Sequence, residues 1–261
     1  MKLSRDEMLL EMGLGPLWKL RRPPLSPEAV PADVRPGAAS ASVEEGGPTA
    51  APAAIEQAPC APAPLVEANE AESWDALRRE VAGCRACGLC EQRQQAVLGV
   101  GDVHADWLFI GEGPGAEEDR RGEPFVGPAG KLLDAMLAAI DLKRGEDVYI
   151  ANAVKCRPPN NRTPTAAEIA TCRPYLERQV ALLQPRLVFV LGKPAVQATL
   201  GLDAPLGSLR GRTHFWEVAG RRIPVVISYH PAYLLRTPLD KARAWEDLCR
   251  ARALMREAKG A

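Results

Sequence analysis

From about residue 71 onward, short apolar runs alternate with amphipathic stretches of helical spacing. The apolar runs, which are typical of buried strands, cover residues 107–110, 148–154, 187–191 and 223–228. The stretches of helical spacing cover residues 129–140, 165–183, 194–200 and 241–258. Strands that alternate with helices predict one α/β domain over residues 71–261, with a mostly parallel sheet covered by helices on both faces.

Two segments without this alternation precede the domain. Over residues 23–70 we predict a flexible, disordered Pro/Ala-rich linker, because 10 of the 42 residues from 23 to 64 are Pro and 12 are Ala. Residues 1–22 contain a short amphipathic peptide with apolar positions at Met8, Leu9, Met12, Leu17 and Trp18. We expect this peptide to dock on a protein partner or on its own domain; the alternative is a tail without function.

The N-terminal residues and the cysteine count bear on the compartment. Asp6, Glu7 and Glu11 interrupt the apolar positions that a signal peptide would keep continuous, and no run of about 18 apolar residues predicts a membrane span. Seven cysteines, an odd number in a chain of this size, suggest metal ligands and unligated thiols in a reducing compartment. We therefore expect a cytoplasmic monomer with no membrane partner.

In mostly parallel sheets, ligands bind at the carboxyl ends of the strands. Gly111 to Ala116, after the first predicted strand, formally match a dinucleotide-binding fingerprint. Two features argue against a dinucleotide: the loop over residues 117–121 is expected to delay the next helix to about Ala129, and the next strand ends in Asn152 instead of an acidic residue. The glycines still predict that backbone passes close to a ligand.

Three further side chains near predicted strand ends suit a flat heterocycle. Phe125 lies between turn residues, Asn152 ends the second strand, and His230 follows the last strand. An aromatic plane, an amide with donors and an acceptor, and an imidazole can together bind a planar base in a pocket. The alternative for Phe125 is an ordinary core position.

The cysteines form a second candidate site. A tight pair precedes the first strand and two more follow the second strand: Cys84, Cys87, Cys156 and Cys172. Four thiolates with one loose pair can bind zinc or a four-iron cluster, and the spacing leaves both open. Cys90 is near enough to compete as a ligand, whereas Cys60 and Cys249 are expected to be unligated.

The formal net charge is zero at pH 7, but the charges are unevenly distributed. Residues 142–261 carry 20 Lys and Arg against 10 Asp and Glu, while residues 1–141 carry the acidic excess. A basic C-terminal half keeps nucleic acid among the expected partners, in spite of the neutral total.

Five motifs now combine into one pattern: Gly111-Glu-Gly-Pro-Gly115, Pro124-Phe-Val-Gly127, Asn152-Ala-Val-Lys-Cys156, Cys172-Arg-Pro174 and His230-Pro-Ala-Tyr-Leu-Leu-Arg236. In this order and spacing, the chain resembles the iron-sulfur (family 4) uracil-DNA glycosylases over roughly residues 75–255. The resemblance implies a three-layer α/β/α domain around a four-stranded, mostly parallel sheet. It also implies a structural 4Fe-4S cluster on Cys84, Cys87, Cys156 and Cys172, with Cys90 excluded.

The reaction that this resemblance implies is excision of uracil from single- or double-stranded DNA. The nucleotide is flipped out, its N-glycosidic bond is hydrolysed, and the abasic product starts base excision repair. By resemblance, Gly111 and Gly113 approach the base, Phe125 stacks on it and Asn152 binds its amide edge. His230 would donate to the uracil O2 as negative charge develops there.

The acidic loop is expected to supply the carboxylate near the sugar and the attacking water. The resemblance points to Glu112 and Glu118, and we rank Glu112 first. Glu118 could instead exclude a thymine methyl group, and Glu117 and Asp119 are expected to be solvated.

Basic and apolar side chains beside these motifs are expected to contact DNA. Lys155, Arg157, Arg162 and Arg236 would bind phosphates. Leu234 and Leu235 could fill the gap left by the flipped nucleotide, and the alternative for both is helix core.

Two other functions remain open from the sequence. One is a non-catalytic, metal-stapled nucleic-acid-binding module. The other is a related glycosylase with a shifted base preference.

Overall fold

The computed structural model describes residues 73–260. The predicted tail peptide over residues 1–22, with its expected protein partner, and the predicted linker over residues 23–70 lie outside the described residues. Within the described range, no helix is long and apolar enough to cross a membrane.

In residues 73–260 the strands form one six-stranded sheet. They are β1 (Val100–Gly101), β2 (Trp107–Gly111), β3 (Val148–Asn152), β4 (Leu187–Leu191), β5 (Thr213–Val218) and β6 (Arg221–Ser228). The order across the sheet is β1-β3-β2-β4-β6-β5. The four central strands are parallel, and β1 and β5 add antiparallel edges. The predicted four-stranded parallel sheet is therefore the centre of a larger mixed sheet.

The two edge strands, β1 and β5, were not predicted from the sequence, for physical reasons. Strand β1 has only two residues, and β5 alternates buried and exposed positions instead of forming an apolar run. A two-residue turn joins β5 to β6, with Ala219 at φ 51° and Gly220 at φ 71°. Positive φ at both turn positions matches the twist of a tight hairpin, and a glycine accepts it without strain.

Helices cover both faces of the sheet, as predicted. Within the described residues they are α1 (Trp74–Gly83), α2 (Ala116–Arg121), α3 (Pro128–Ala138), α4 (Ala166–Leu183), α5 (Lys193–Leu200), α6 (Leu206–Leu209), α7 (Pro231–Arg236) and α8 (Lys241–Gly260). Leu176 and Val180 of α4 pack with Val196 of α5 in the core on one face. Leu133 of α3 and Leu248 of α8 belong to the core on the other face.

Helix α2 corrects one expectation. The loop over residues 117–121 was expected to delay the next helix to about Ala129, but α2 begins at Ala116, directly after the glycine-rich turn. Its first turn carries Glu117, Glu118 and Asp119. Negative side chains are favourable at a helix N-terminus, so this acidic stretch is helical.

Candidate active site

The carboxyl ends of the four parallel strands open into a cleft of about 1060 Å³. Glu112 follows β2, Asn152 ends β3, Gly192 follows β4 and His230 follows β6, and all four line the cleft. Phe125 joins them from the loop between α2 and α3. The structure thus brings together the side chains that the sequence placed at the strand ends.

Phe125 is held rigidly at the wall of the cleft. Its backbone has φ 56°, and Arg144 donates from Nη2 to the Phe125 carbonyl and from Nη1 to that of Pro124, both at 2.9 Å. A Cβ atom on Gly130 would lie 1.7 Å from the Phe125 carbonyl oxygen, so only glycine allows α3 to pack there. The Phe125 ring is 6% exposed and stacks on His230, with 5.4 Å between ring centroids. It is both a core residue and a wall of the cleft.

Asn152 lines the cleft and has an unpaired, buried acceptor in its side chain. The residue is 2% exposed, and its side-chain Oδ1 has no hydrogen-bond partner among the described residues. A Cβ atom on Gly111 would lie 2.5 Å from this Oδ1 and 2.4 Å from Phe125 Cζ. Because Gly111 has no side chain, the Phe125 ring and the Asn152 amide can both pack against its backbone, and we call the part of the cleft bordered by these three residues the slot. A buried amide oxygen without a partner indicates a ligand that donates a hydrogen bond.

His230 is neutral in this setting. Its Nδ1 accepts a hydrogen bond from the Ala232 backbone N–H at 3.2 Å, which places the ring proton on Nε2. Burial, with a contribution from the Arg236 charge, lowers the pKa of His230 to about 4, while Glu118 opposes that shift. The half-buried ring can therefore donate from Nε2 without carrying a charge.

A network that the sequence did not indicate supports the segment before His230. Arg210 donates from Nε to Asp247 Oδ2 at 2.7 Å, in an ion pair that is almost fully buried. The Arg210 guanidinium also lies over the Tyr229 ring, 4.6 Å from its centroid. These partners are far apart in sequence and belong to no motif, so only the folded chain reveals them.

Glu112 lines the same cleft as Phe125, Asn152 and His230. Burial raises its pKa above the usual value, while a hydrogen bond with the Thr163 side chain and the charge of Arg236 oppose the shift. The predicted position of Glu112 in the site is therefore consistent with the geometry. Thr163 was not anticipated from the sequence.

Glu118 lines the cleft and is hydrogen-bonded to the backbone on both sides of it. Its Oε2 accepts from the Gly115 N–H at 3.1 Å, and its Oε1 accepts from Val126 N–H at 3.0 Å and Gly127 N–H at 3.2 Å. Both oxygens are thus occupied by backbone donors that join the glycine-rich turn to the Phe125 loop. The side chain therefore positions these two segments, and its predicted catalytic role stays a prediction.

Its two acidic neighbours differ from each other. Glu117 is exposed, as expected, and pairs with Arg120. The expectation that Asp119 is solvated is wrong, because this residue is 1% exposed. Asp119 accepts hydrogen bonds from the backbone N–H groups of Gln94 and Gln95. These hydrogen bonds hold the loop that follows Cys84 and Cys87 against helix α2.

Four cysteines line one small cavity: Cys84, Cys87, Cys156 and Cys172. Arg93 donates from Nη1 to Cys156 Sγ at 2.8 Å and from Nη2 to the Ala82 and Cys84 carbonyls. Burial raises the pKa of the Cys156 thiol to about 11, and also raises that of Cys172. Cys90 is not among the residues that line this cavity. In residues 73–260, no three His, Cys, Asp or Glu side chains are arranged to hold a single metal ion.

Two of the predicted DNA contacts are wrong. Lys155 is 1% exposed, and its ammonium donates to the Asn152 carbonyl and to Gln179, so it cannot reach a phosphate. Leu234 is fully buried in the core between α7, α3 and α8, which rules it out as a wedge in this conformation. Leu235 remains a candidate because its side chain is 44% exposed.

The arginines of the predicted DNA surface lie at or near the mouth of the cleft. Arg236 is exposed and lines the cleft. Arg162 also lines it and pairs with Glu168, and Arg157 donates to Asn161, another lining residue.

Comparison with known proteins decides the family. The model of the uracil DNA glycosylase superfamily matches residues 98–249. The type-4 uracil-DNA glycosylase of Archaeoglobus fulgidus is 44% identical over 171 residues, which are 64% of this chain and 85% of the relative. That of Thermotoga maritima is 39% identical over 189 residues, 71% of this chain and 96% of the relative. The chain belongs to the type-4 uracil-DNA glycosylases.

This membership confirms the resemblance, the α/β fold class and the class of enzyme, a uracil-DNA glycosylase and hence a glycosidase-type hydrolase. A more distant match is the type-5 uracil-DNA glycosylase of Thermus thermophilus, 34% identical over 173 residues, 59% of this chain and 78% of that relative. The cleft of this type-4 glycosylase is therefore the place to look for a flipped uracil.

Proposed function

We propose that the protein flips deoxyuridine out of DNA into the strand-end cleft and hydrolyses its N-glycosidic bond, leaving an abasic site for repair. The observation that carries this proposal is the unpartnered Oδ1 of Asn152 in the slot beside Gly111 and the Phe125 ring. Extrusion costs a few kcal/mol, and a mismatched U·G pair costs least.

Asn152 and Phe125 account for recognition of the base. The Asn152 Oδ1 accepts from the uracil N3–H, its Nδ2 donates to O4, and the Phe125 ring stacks on the base. Cytosine has an acceptor at N3 and a donor at N4, so both hydrogen bonds would be mismatched. Each buried unsatisfied polar group costs about 1–3 kcal/mol, which favours uracil strongly.

His230 and Glu112 account for bond cleavage. The neutral His230 ring donates from Nε2 to the uracil O2, where negative charge develops as the base leaves. Such a preorganised donor contributes about 10²–10³ to the rate. Glu112, on the strand-end loop, stabilises the positive charge that develops on the sugar and orients the attacking water.

We assign phosphate contacts to Arg157, Arg162 and Arg236, around the mouth of the cleft. Arginine side chains bind phosphates through charge and bidentate hydrogen bonds, with affinity that does not depend on sequence. Leu235, on the exposed side of α7, is placed to contact the bases that flank the flipped nucleotide.

The finer assignment is a 4Fe-4S cluster on Cys84, Cys87, Cys156 and Cys172. Four soft thiol donors around one cavity, with the Arg93 guanidinium on one of them, suit an anionic thiolate site. Membership of the type-4 glycosylases, the family that the motifs connect with an iron-sulfur cluster, supports a cluster over a single zinc ion. When bound, the cluster would cross-link the loop ahead of β2 to the segment after Asn152. Iron and sulfide assays of anaerobically purified protein, with zinc measured in parallel, test this assignment.

The activity is tested with labelled oligonucleotides that contain uracil, hypoxanthine or a thymine mismatch, followed by alkali. We expect cleavage at uracil in single strands and in U·G and U·A duplexes. Cleavage mainly at hypoxanthine or thymine would instead indicate a shifted base preference, which the match to a type-5 enzyme keeps as the second candidate. No cleavage of any substrate would leave a non-catalytic nucleic-acid-binding module.

A further inference from the structure

Lys155 is a buried cation that the proposed reaction does not use. Its side chain is among the largest that are fully buried, at 1% exposure. Its Nζ donates to the Asn152 carbonyl at 2.8 Å and to Gln179 Oε1. The Gln179 amide cannot turn away, because its Nε2 donates to the Leu98 carbonyl at 2.9 Å. Both acceptors are neutral, so neither supplies a counter-charge.

The cysteine cavity, which Lys155 lines, is the candidate source of that counter-charge. A charge buried in a protein interior is paired, because an isolated ammonium is strongly destabilised there. Lys155 lines the same cavity as the four cysteines, and its own backbone N–H donates to Cys172 Sγ at 3.3 Å. Thiolates bound to iron carry net negative charge, which a neighbouring ammonium offsets.

The same side chain also holds the backbone of Asn152, the residue whose amide borders the slot. Its bond to the Asn152 carbonyl fixes the last residue of β3, whose amide faces the cleft. The intervening backbone is held as well, since Ala153 N–H donates to the Gly111 carbonyl at 2.9 Å and Val154 N–H donates to that of Glu112 at 3.2 Å. Lys155 therefore contacts Cys172 through its backbone N–H and the backbone of Asn152 through its ammonium.

We propose that Lys155 is a positioning residue that joins the two sites: its ammonium is the buried counter-charge of the iron-bearing thiolates and holds Asn152 in place for base recognition. This inference rests on the proposed function and on the cluster assignment. It makes both the electrostatics of the cysteine site, to which Arg93 also contributes, and the recognition of uracil depend on Lys155.

The test compares iron-loaded Lys155→Met, Lys155→Gln and Lys155→Arg proteins with the wild type. The matched control is Lys143→Met, which removes an exposed lysine that pairs with Glu146 in a surface turn. The measurements are the midpoint potential of the bound cluster, iron release in air and single-turnover uracil release.

We expect the midpoint potential to fall in Lys155→Met and Lys155→Gln and to stay near wild type in Lys155→Arg. Removal of a nearby positive charge makes addition of an electron less favourable, whereas lost packing alone would not follow charge in this way. Uracil release should fall by about tenfold or more in Lys155→Met, and by less in Lys155→Gln, which keeps a donor for the Asn152 carbonyl.

Wild-type potentials in both neutral variants would overturn the counter-charge, and wild-type uracil release in Lys155→Met would overturn the positioning role. If Lys155→Arg is the only variant that binds iron, iron binding requires a positive charge at this position and the proposal stands. If none of the three variants binds iron, the shape of the lysine side chain and not its charge determines iron binding, and the proposal is wrong. A wild-type protein that binds iron but releases no uracil refutes the proposed function separately, because the potentials can still be compared.

Discussion

At the scale of single residues, the ionisation state of His230 determines how the leaving base is stabilised. The Ala232 N–H donates a hydrogen bond to His230 Nδ1. Protonation of Nδ1 would replace this hydrogen bond by repulsion between the Nδ1–H and the Ala232 N–H. The neutral ring already has its proton on Nε2, and His230 lines the cleft. No proton needs to be taken up before the base leaves.

We therefore predict that His230 stays neutral from about pH 8 to about pH 5 and protonates only near its lowered pKa of about 4. The folded pKa lies below the ordinary value of 6.5, so the unfolded chain binds the proton first. The stability that this ring contributes is complete above about pH 6.5 and is lost as the pH falls toward 4. Heteronuclear NMR of ring nitrogens checks the prediction, and protonation of His230 between about pH 6 and 7 would contradict it.

The residues that sequence could predict are those whose position follows from topology. Phe125, Asn152 and His230 come directly after strand or turn signals, and parallel strands bring their carboxyl ends to one edge. Lys155 and Leu234 sit inside the same motifs, but their side chains point into the core. Sequence gives their neighbours along the chain and not the direction of the side chain.

At the scale of elements, Glu118 joins two helices at the edge of the cleft. It lies in the first turn of α2 and accepts hydrogen bonds from the residues just before α3. Helix α2 was missed because its six residues carry no apolar stripe, only charges that favour a helix N-terminus. Strands β1 and β5 were missed for the related reason that they lack apolar runs.

Replacing Glu118 by Gln tests this connection. Glu118→Gln should lower the free energy of unfolding by about 1–3 kcal/mol, because an amide group cannot replace the carboxylate toward three backbone donors. It should also slow uracil release, since the Phe125 loop loosens. Urea unfolding and single-turnover assays measure both effects.

Glu117→Gln is the control, because the neighbouring Glu117 is exposed and pairs with Arg120 at the surface. Its unfolding free energy should stay within about 0.5 kcal/mol of wild type. Equal effects of the two substitutions would mean that Glu118 does not position the loops.

At the scale of the whole molecule, the neutral total charge conceals a basic C-terminal half, which we propose to bind DNA. The excess of 10 positive charges over residues 142–261 includes arginines at the mouth of the cleft. The sequence could locate this excess along the chain, but only the fold shows which cations are exposed and which, like Lys155, are buried.

Binding to a duplex that contains a stable abasic-site analogue should weaken steeply with salt. Arg236→Gln should reduce the slope of log affinity against log salt by about 1, because one phosphate contact is lost. Arg186→Gln is the control. Arg186 directly precedes β4, at the amino ends of the parallel strands and away from the cleft, and it pairs with Asp106. Fluorescence anisotropy over a salt series gives both slopes, and an unchanged slope for Arg236→Gln would remove this residue from the interface.

The substitution Asn152→Asp tests whether the slot at the end of β3 recognises uracil. The substitution keeps the shape of the side chain but replaces the donor to uracil O4 by an oxygen. Single-turnover uracil release should fall by about 100-fold or more in the folded variant, whose free energy of unfolding is expected to be lower because a buried carboxylate without a partner is destabilised. The exposed Asn160→Asp, outside the cleft lining, should retain wild-type release. A folded Asn152→Asp protein that releases uracil at the wild-type rate would show that the Asn152 amide does not recognise the base.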